Sequence, residues 1–396
     1  MPLPSVDMLE ALTSGAGAQV LEAAMDMGST DPAGVARLRR QASPETVVAA
    51  LEVAAARRSL QGRVAGWRTY WADREGAAQA SDDASAAWKA ARVAGRGAMV
   101  DLCCGTGADL RALAKVTAAR GVDLRPERAW MARHNAGVEA CCSDATALDF
   151  EEPLAHLDPA RRDETAGRRL HAWDQLVPGP AFLRQLSARL DGLMAKLGPG
   201  VEIPQDARPA GSELAFLSRR GGLTQAVLCT GVLARHAGAS AVLLDQGVEV
   251  HGPSRWSATT GDPAWPAAGE WSRFIAEPDA SLERSGLLSK VAAEHGLRER
   301  APGLGLCTRP EAPDATTPWF RWFERLETCA ARLEPLQRRM RALGAGPVDV
   351  KVRGGAADAD AWSRALRGDG TEALVVLVHR MGAGAEAVIA RRRDPA

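Results

Sequence analysis

One stretch constrains the fold more than any other: Val100-Asp101-Leu102-Cys103-Cys104-Gly105-Thr106-Gly107-Ala108-Asp109. An apolar run closes on an acid, two glycines follow at alternate positions, and Leu110, Leu113 and Ala114 open an amphipathic segment. The pattern predicts the end of a buried strand, a tight turn and the first turn of a helix. Glycine at 105 and 107 leaves the backbone bare, so a bulky ligand can approach closely. Strand–loop–helix units of this kind, repeated, build an open parallel sheet whose ligands sit at the carboxyl ends of its strands.

The sequence on both sides supports such a sheet. Strands are predicted over Ala98–Leu102, at Val122-Asp123-Leu124, and over Val138–Cys142, Leu154–Leu157 and Leu193–Leu197. Helices over Pro126–Asn135 and Ala181–Leu190 alternate with them, the mark of a doubly wound α/β arrangement. Residues 116–121 have little β character. The second strand is placed by Asp123, which lies 22 residues after Asp101, where a second-strand acid should fall. Glu213–Ser218 and Thr224–Leu228, turned by Arg219-Arg220-Gly221-Gly222, predict an antiparallel hairpin at the sheet edge, and Ala239–Leu244 predicts another strand.

Residues 1–95 are alanine-rich and read as a helical domain, with Asp31-Pro32 and Ser43-Pro44 as cap-plus-proline helix starts. Trp67-Arg68-Thr69-Tyr70-Trp71 within it is either an aromatic anchor for the next domain or a lid over a ligand. Residues 96–250 form the expected sheet domain, 251–318 a Gly-, Pro- and Trp-containing linker region, and 319–396 a small α+β unit. That last unit is read as strand Trp319–Arg325, helix Pro335–Leu343, strand Val348–Val352, helix Ala359–Leu366 and a final hairpin.

With 49 basic and 49 acidic residues the formal net charge is zero, so any nucleic-acid contact must come from a local basic patch. No apolar run reaches the ~20 residues that span a bilayer, and the N-terminus lacks a secretory pattern, so a cytoplasmic location is expected. Seven cysteines, four of them in the adjacent pairs 103–104 and 141–142, suit neither a disulfide framework nor zinc spacing. No metal is expected.

Asp101, Asp123 and Asp144, each at a predicted strand end, can together hold a nucleoside with a charged tail. The second acid can accept ribose hydroxyls and the third an adenine amino group. A nicotinamide dinucleotide calls for a third glycine where this chain has Leu110. The two-glycine turn preceded by an acid resembles motif I of class I methyltransferases, and the later acids resemble motifs II and III. The resemblance implies S-adenosylmethionine as cofactor. Its candidate contacts are Asp101, Cys103, Gly105, Gly107, Asp109, Asp123, Leu124, Asp144 and Ala145.

Asp158-Pro159-Ala160-Arg161 falls where these enzymes carry motif IV, facing the methyl group. Amino-group methyltransferases have Asp or Asn, two prolines and an aromatic there. Here Asp158 and Pro159 match, while Ala160 and Arg161 depart, so a base amine is one possible acceptor. Asp158, Pro159 and Arg161 are the candidate catalytic residues. Together with Glu277-Pro278-Asp279-Ala280 and the tail Val350-Lys351-Val352-Arg353-Gly354-Gly355, the chain resembles bacterial class I methyltransferases with a C-terminal THUMP-like domain. The fold implied is a Rossmann-like doubly wound sheet with an antiparallel edge hairpin, a helical N-terminus and a small THUMP-like domain. THUMP domains of related enzymes bind RNA, so an RNA substrate (rRNA or tRNA) is implied, with Tyr70, Arg162, Lys351 and Arg353 as candidate contacts. Lys351 and Arg353 alternate along a strand and therefore face one side. Methylation of a small molecule or protein, and a non-catalytic RNA-binding module, are the alternatives.

Overall fold

The computed structural model describes residues 3–27, 32–161, 173–253, 265, 267–313, 317–382 and 384–393. The chain divides into two compact units, residues 1–217 with 224–238 and residues 218–223 with 239–396. Among the described residues no helix is long and apolar enough to cross a membrane.

The first unit opens with helices α1 (Val6–Ala11), α2 (Gly15–Asp26), α3 (Pro32–Leu38), α4 (Pro44–Ser59), α5 (Arg74–Gln79) and α6 (Asp83–Val93). The Ser43-Pro44 start is present: the Ser43 hydroxyl accepts from the Thr46 amide at 3.2 Å and Pro44 occupies the first turn. Helix α3 begins at Pro32, and Asp31 lies outside the described residues. Leu9, Leu12, Val20 and Val53 pack into one cluster with Trp130 and Met131, which lie beyond the first strands. The N-terminal helices thus share a core with the sheet that follows.

That sheet is built from β1 (Met99–Leu102), α7 (Ala108–Leu113), β2 (Ala119–Asp123), α8 (Pro126–Ala136), β3 (Ala140–Cys142) and β4 (Leu154–Leu157). A short ribbon pairs β5 (Ala160–Arg161) with β6 (Leu176–Val177). Helix α9 (Pro180–Arg189) and strands β7 (Gly192–Leu197), β8 (Glu213–Arg219) and β9 (Gly222–Gly231) complete it. The strand order is β8-β9-β7-β4-β1-β2-β3. Strands β1, β2, β3, β4 and β7 run parallel, and β9 is inserted antiparallel beside β7. This is a doubly wound sheet with the expected antiparallel hairpin.

The weak propensity of residues 116–121 is overridden by packing. Gly121 sits where a Cβ would come 2.7 Å from Leu110 Cδ2 and 2.9 Å from Cys104 Sγ, so α7 lies closely on β2 only because that side chain is absent.

The second unit contains the hairpin β10 (Gly238–Leu243) and β11 (Val248–Gly252), then β12 (Phe274–Pro278), α10 (Ala280–Ser285) and α11 (Leu288–Glu294). Next come β13 (Arg298–Glu299), β14 (Cys307–Arg309), β15 (Phe320–Ala330), α12 (Leu333–Ala342), β16 (Ala345–Arg353), α13 (Ala359–Leu366), β17 (Glu372–Met381) and β18 (Gly384–Arg393). Its sheet runs β13-β14-β12-β15-β18-β17-β16, with β16 and β17 parallel across α13. Leu336, Met340 and Leu366 of the two helices pack on Val350, Val376 and Ile389. The alternate residues Val375, Leu377 and Val388 join Trp271, Ile275 and Phe323 in a separate cluster.

Residues 251–318, expected as linker, carry five of these elements. They are short, and Glu277 and Pro278 interrupt the apolar run of β12. What makes β12 a strand is its pairing with β14 on one side and β15 on the other, which local sequence does not reveal.

Within the first unit, Arg92 of α6 makes a bidentate pair with Glu213 of β8 at 2.7 and 2.9 Å, with both side chains buried. Replacing Arg92→Met leaves a buried carboxylate without its cation, and we expect a loss of about 3–5 kcal/mol in chemical denaturation.

Candidate functional site

The glycine turn after β1 is held in a left-handed backbone path, with φ of 58° at Cys103, 55° at Gly105 and 79° at Gly107. Only one of the two glycines is packed. A Cβ at Gly107 would sit 2.8 Å from Ala132 Cα of α8, whereas a Cβ at Gly105 would meet nothing within 4 Å. The turn is therefore pressed against its own unit on one side and bare on the other. Thr106 between them is gripped from below: the Tyr70 hydroxyl donates to its carbonyl at 2.9 Å and Asn135 Nδ2 donates to the same oxygen at 2.8 Å.

Tyr70 is 2% exposed, which corrects its assignment as an RNA contact. The Trp67–Trp71 segment is the anchor of the two readings, with Trp71 edge-on to Trp130 and bonded through its backbone to Asn135.

The acids converge at the carboxyl edge of the sheet. Asp123, at the end of β2, accepts from the Gly105 amide at 2.8 Å and from the Arg125 amide at 3.0 Å, one through each oxygen. Each oxygen keeps a further lone pair, so two hydroxyls can still be received. Leu124 beside it is 69% exposed, an apolar face at the same edge. Asp144 after β3 is exposed, and the Thr146 backbone amide and hydroxyl hold its carboxyl below the usual range. Ala145 is buried.

Asp101 lies deeper, fully buried, and accepts from His156 Nδ1 at 2.6 Å while its Oδ2 has no hydrogen-bond partner. Burial, opposed by His156, pushes its carboxyl above the ordinary range. Burial, reinforced by the charges of Asp123, Asp158, Asp101 and Asp144, also pushes the Cys103 thiol far up. Four carboxylates thus surround one position, and Cys103 is no nucleophile.

Asp109 was expected to face the cofactor and does not. Lys89 Nζ lies 2.6 Å from its Oδ1 and the Ser81 hydroxyl donates to Oδ2 at 2.8 Å, all three buried. Burial would raise this carboxyl, but Lys89, His156 and Lys196 outweigh it and hold it well below the usual range. Asp109 is a structural counter-ion beneath the turn.

Lys89 also donates to Gln225 at 2.9 Å. Lys196 of β7 donates to Asp158 Oδ2 at 2.7 Å and to the Gln79 carbonyl at 2.9 Å. Burial lowers the Lys196 ammonium, yet Asp158 and Asp109 outweigh it and raise it above its ordinary value. Lys89, His156 and Lys196 were not singled out from sequence. The available signal was a basic residue inside an otherwise apolar strand, in Leu154–Leu157 and again in Gly192–Leu197.

Asp158 and Pro159 follow β4, and Ala160 and Arg161 form β5. The Arg161 side chain and Arg162 lie outside the described residues.

In the second unit Lys351 and Arg353 do share one side of β16, as their alternation predicts, but they are not free to track phosphates unaided. Lys351 lies 2.9 Å from Glu277, and Arg353 lies 3.1 Å from Glu283 and 3.9 Å from Glu277.

Residues 320–392 match the family model described as THUMP domain-like, and residues 5–59 match one described as a domain of unknown function. Over 305 residues the chain is 33% identical to a protein of Mycobacterium tuberculosis, found in two strains and described as an uncharacterized S-adenosylmethionine-dependent methyltransferase. The match covers 75% of this chain and 80% of the relative. The chain belongs to the S-adenosylmethionine-dependent methyltransferases with a C-terminal THUMP-like domain.

A solved structure from Porphyromonas gingivalis W83, described as a candidate methyltransferase, shares the fold with a TM-score of 0.72 at 18% identity, covering 100% of both chains. The methyltransferase's residues fit S-adenosylmethionine on structural grounds: the bare side of Gly105, the spare lone pairs of Asp123, the exposed face of Leu124 and the unpartnered oxygen of Asp101. Replacing Asp123→Ala should weaken cofactor binding by about 1.5–3 kcal/mol, roughly 10- to 150-fold, as read by titration calorimetry.

Proposed function

We propose that this methyltransferase acts on RNA, at an amine held by the Asp158-Pro159-Ala160-Arg161 loop. The single observation that carries the reading is the THUMP-like match over residues 320–392. THUMP domains of related enzymes bind RNA, and here the match follows a methyltransferase sheet in the same chain.

When bound, S-adenosylmethionine supplies an electrophilic methyl group. The chain's own residues have to align the acceptor nitrogen for in-line displacement: the positive charge passes from sulfur to that nitrogen, which then sheds its proton to water, so alignment is the main demand. Lys196 pins Asp158 Oδ2 at 2.7 Å, which leaves Oδ1 to accept an N–H of the acceptor. Asp158 is an orienting group more than a strong base: its Oδ2 is held by the Lys196 ammonium, which Asp158 and Asp109 raise above its ordinary value. The network Lys196–Asp158 and Lys196–Gln79 fixes the Asp158 side chain.

The test is transfer of tritiated methyl from labelled cofactor into fractionated cellular RNA, protein and metabolites, with nucleoside mass spectrometry on RNA from a deletion strain. RNA label and a missing methylated nucleoside support the reading, whereas an unchanged nucleoside profile overturns it. For Asp158→Ala we expect near-normal cofactor affinity with turnover lowered by two orders of magnitude or more, on the order of a lost positioning contact. Lys196→Met should lower kcat in the same assay by about tenfold or more while cofactor binding holds.

A further inference from the structure

The second unit contains a groove of about 910 Å³ that the methyl-transfer chemistry does not use. Its floor is apolar, with Leu243, Pro318, Trp319, Phe323 and Val375 among the residues that line it. Its polar residues divide by availability. Asp245 accepts from the Arg220 amide and from Arg219 Nε, and Asp279 caps α10 at Ser281 while accepting from the Ser218 hydroxyl. Both of these carboxylates are thus occupied by donors of the same unit, and the third carboxylate of the lining, Asp349, is exposed on the side of β16 that carries Lys351.

The cations are in the opposite position. Glu277 is shared by Lys351 at 2.9 Å, Arg321 at 3.6 Å and Arg353 at 3.9 Å, and Glu283 meets Arg353 at 3.1 Å, so two carboxylates serve three positive groups. Arg220 is exposed at the tip of its turn. Gly221 next to it has φ of 74°, which the turn requires, and the space its Cβ would take is occupied by Arg321 Nη2. Arg220, Arg321 and Lys351 all line the groove.

We propose that this groove seats a single-stranded segment of the RNA substrate, with a base on the apolar floor and phosphates against Arg220, Arg321 and Lys351. The assignment rests on the RNA reading above and names where that RNA is gripped. An apolar concavity edged by a few placed polar groups suits a nucleobase, and guanidiniums suit phosphate oxygens. The exposed arginines Arg338 and Arg341 on α12 do not line this groove and serve as the control.

The experiment measures binding of a fluorescein-labelled single-stranded RNA of about 20 nucleotides by anisotropy, at several salt concentrations, with the full chain. The groove variant is Arg220→Asn with Arg321→Gln, asparagine being chosen because Arg220 has φ of 52° and asparagine tolerates that conformation. The control is Arg338→Gln with Arg341→Gln. We expect the groove variant to lose about tenfold or more in affinity, with the slope of log K against log salt shallower by about 1.4, two phosphate contacts' worth. Cofactor affinity, read by calorimetry, should be unchanged in both variants and serves as the folding check.

Should the wild-type chain fail to bind RNA at low salt, the RNA reading falls and the groove with it. Wild-type binding that survives in the groove variant, or is lost equally in the control, overturns the groove while leaving the RNA reading in place. Lost cofactor affinity in the groove variant moves the test to Lys351→Gln alone, where retained RNA affinity overturns the proposal.

Discussion

The buried pair Lys89–Asp109 is the interaction on which the cofactor end of the sheet depends. Asp109 begins the helix after the glycine turn, and Lys89 belongs to the helical segment before the first strand. Two buried charges cannot be left apart, because an isolated buried ion costs several kcal/mol. Each therefore dictates where the other's element must sit, and Ser81 and Gln225 fill the remaining hydrogen-bonding positions. The N-terminal helices are consequently part of the cofactor site's foundation.

The same logic extends from Lys89 to the reacting edge. Between Tyr70 and Lys89 the chain supplies Tyr70 to Thr106, Asp73 to Arg128, Gln79 to Lys196 and Ser81 to Asp109. Gly76 lies where a Cβ would come 2.6 Å from Thr106 Cγ2, so even the helix between these contacts is drawn close to the turn. One continuous segment thus props the glycine turn, neutralises its helix and, through Lys196, reaches the orienting carboxylate Asp158. A turn that must present bare backbone to a ligand cannot be stiffened from the ligand side, and stiffness has to come from beneath.

Charge is handled differently in the second unit. Lys351 and Arg353 find their partners within that unit's own fold, where Glu277 and Glu283 face three cations, Lys351, Arg353 and Arg321. Burial pushes Glu283 up to about 7, with Arg353 opposing it, so part of its population is neutral near physiological pH and offsets even less positive charge. The unit keeps a positive edge although the chain as a whole has no net charge.

Much of the architecture was written locally. Apolar runs before Asp101 and Asp144 marked two strand tips and the spacing of Asp123 from Asp101 marked a third, the glycines at 105 and 107 marked the ligand turn, and the alternation of helix and strand marked the doubly wound sheet and the tail. These features depend on residues a few positions apart, where periodicity and turn chemistry act directly. What the sequence could not show depends on partners brought together by the fold. Asp109 looks like a ligand contact until Lys89 and Ser81 close over it, and Tyr70 looks available until Thr106 and Asn135 bury its surroundings. Arg353 looks free until Glu283, 70 residues away, pairs with it, and residues 274–278 become a strand only between two neighbours. A side chain's chemistry is set by its type, but its availability is set by whatever else the tertiary structure places within hydrogen-bond reach.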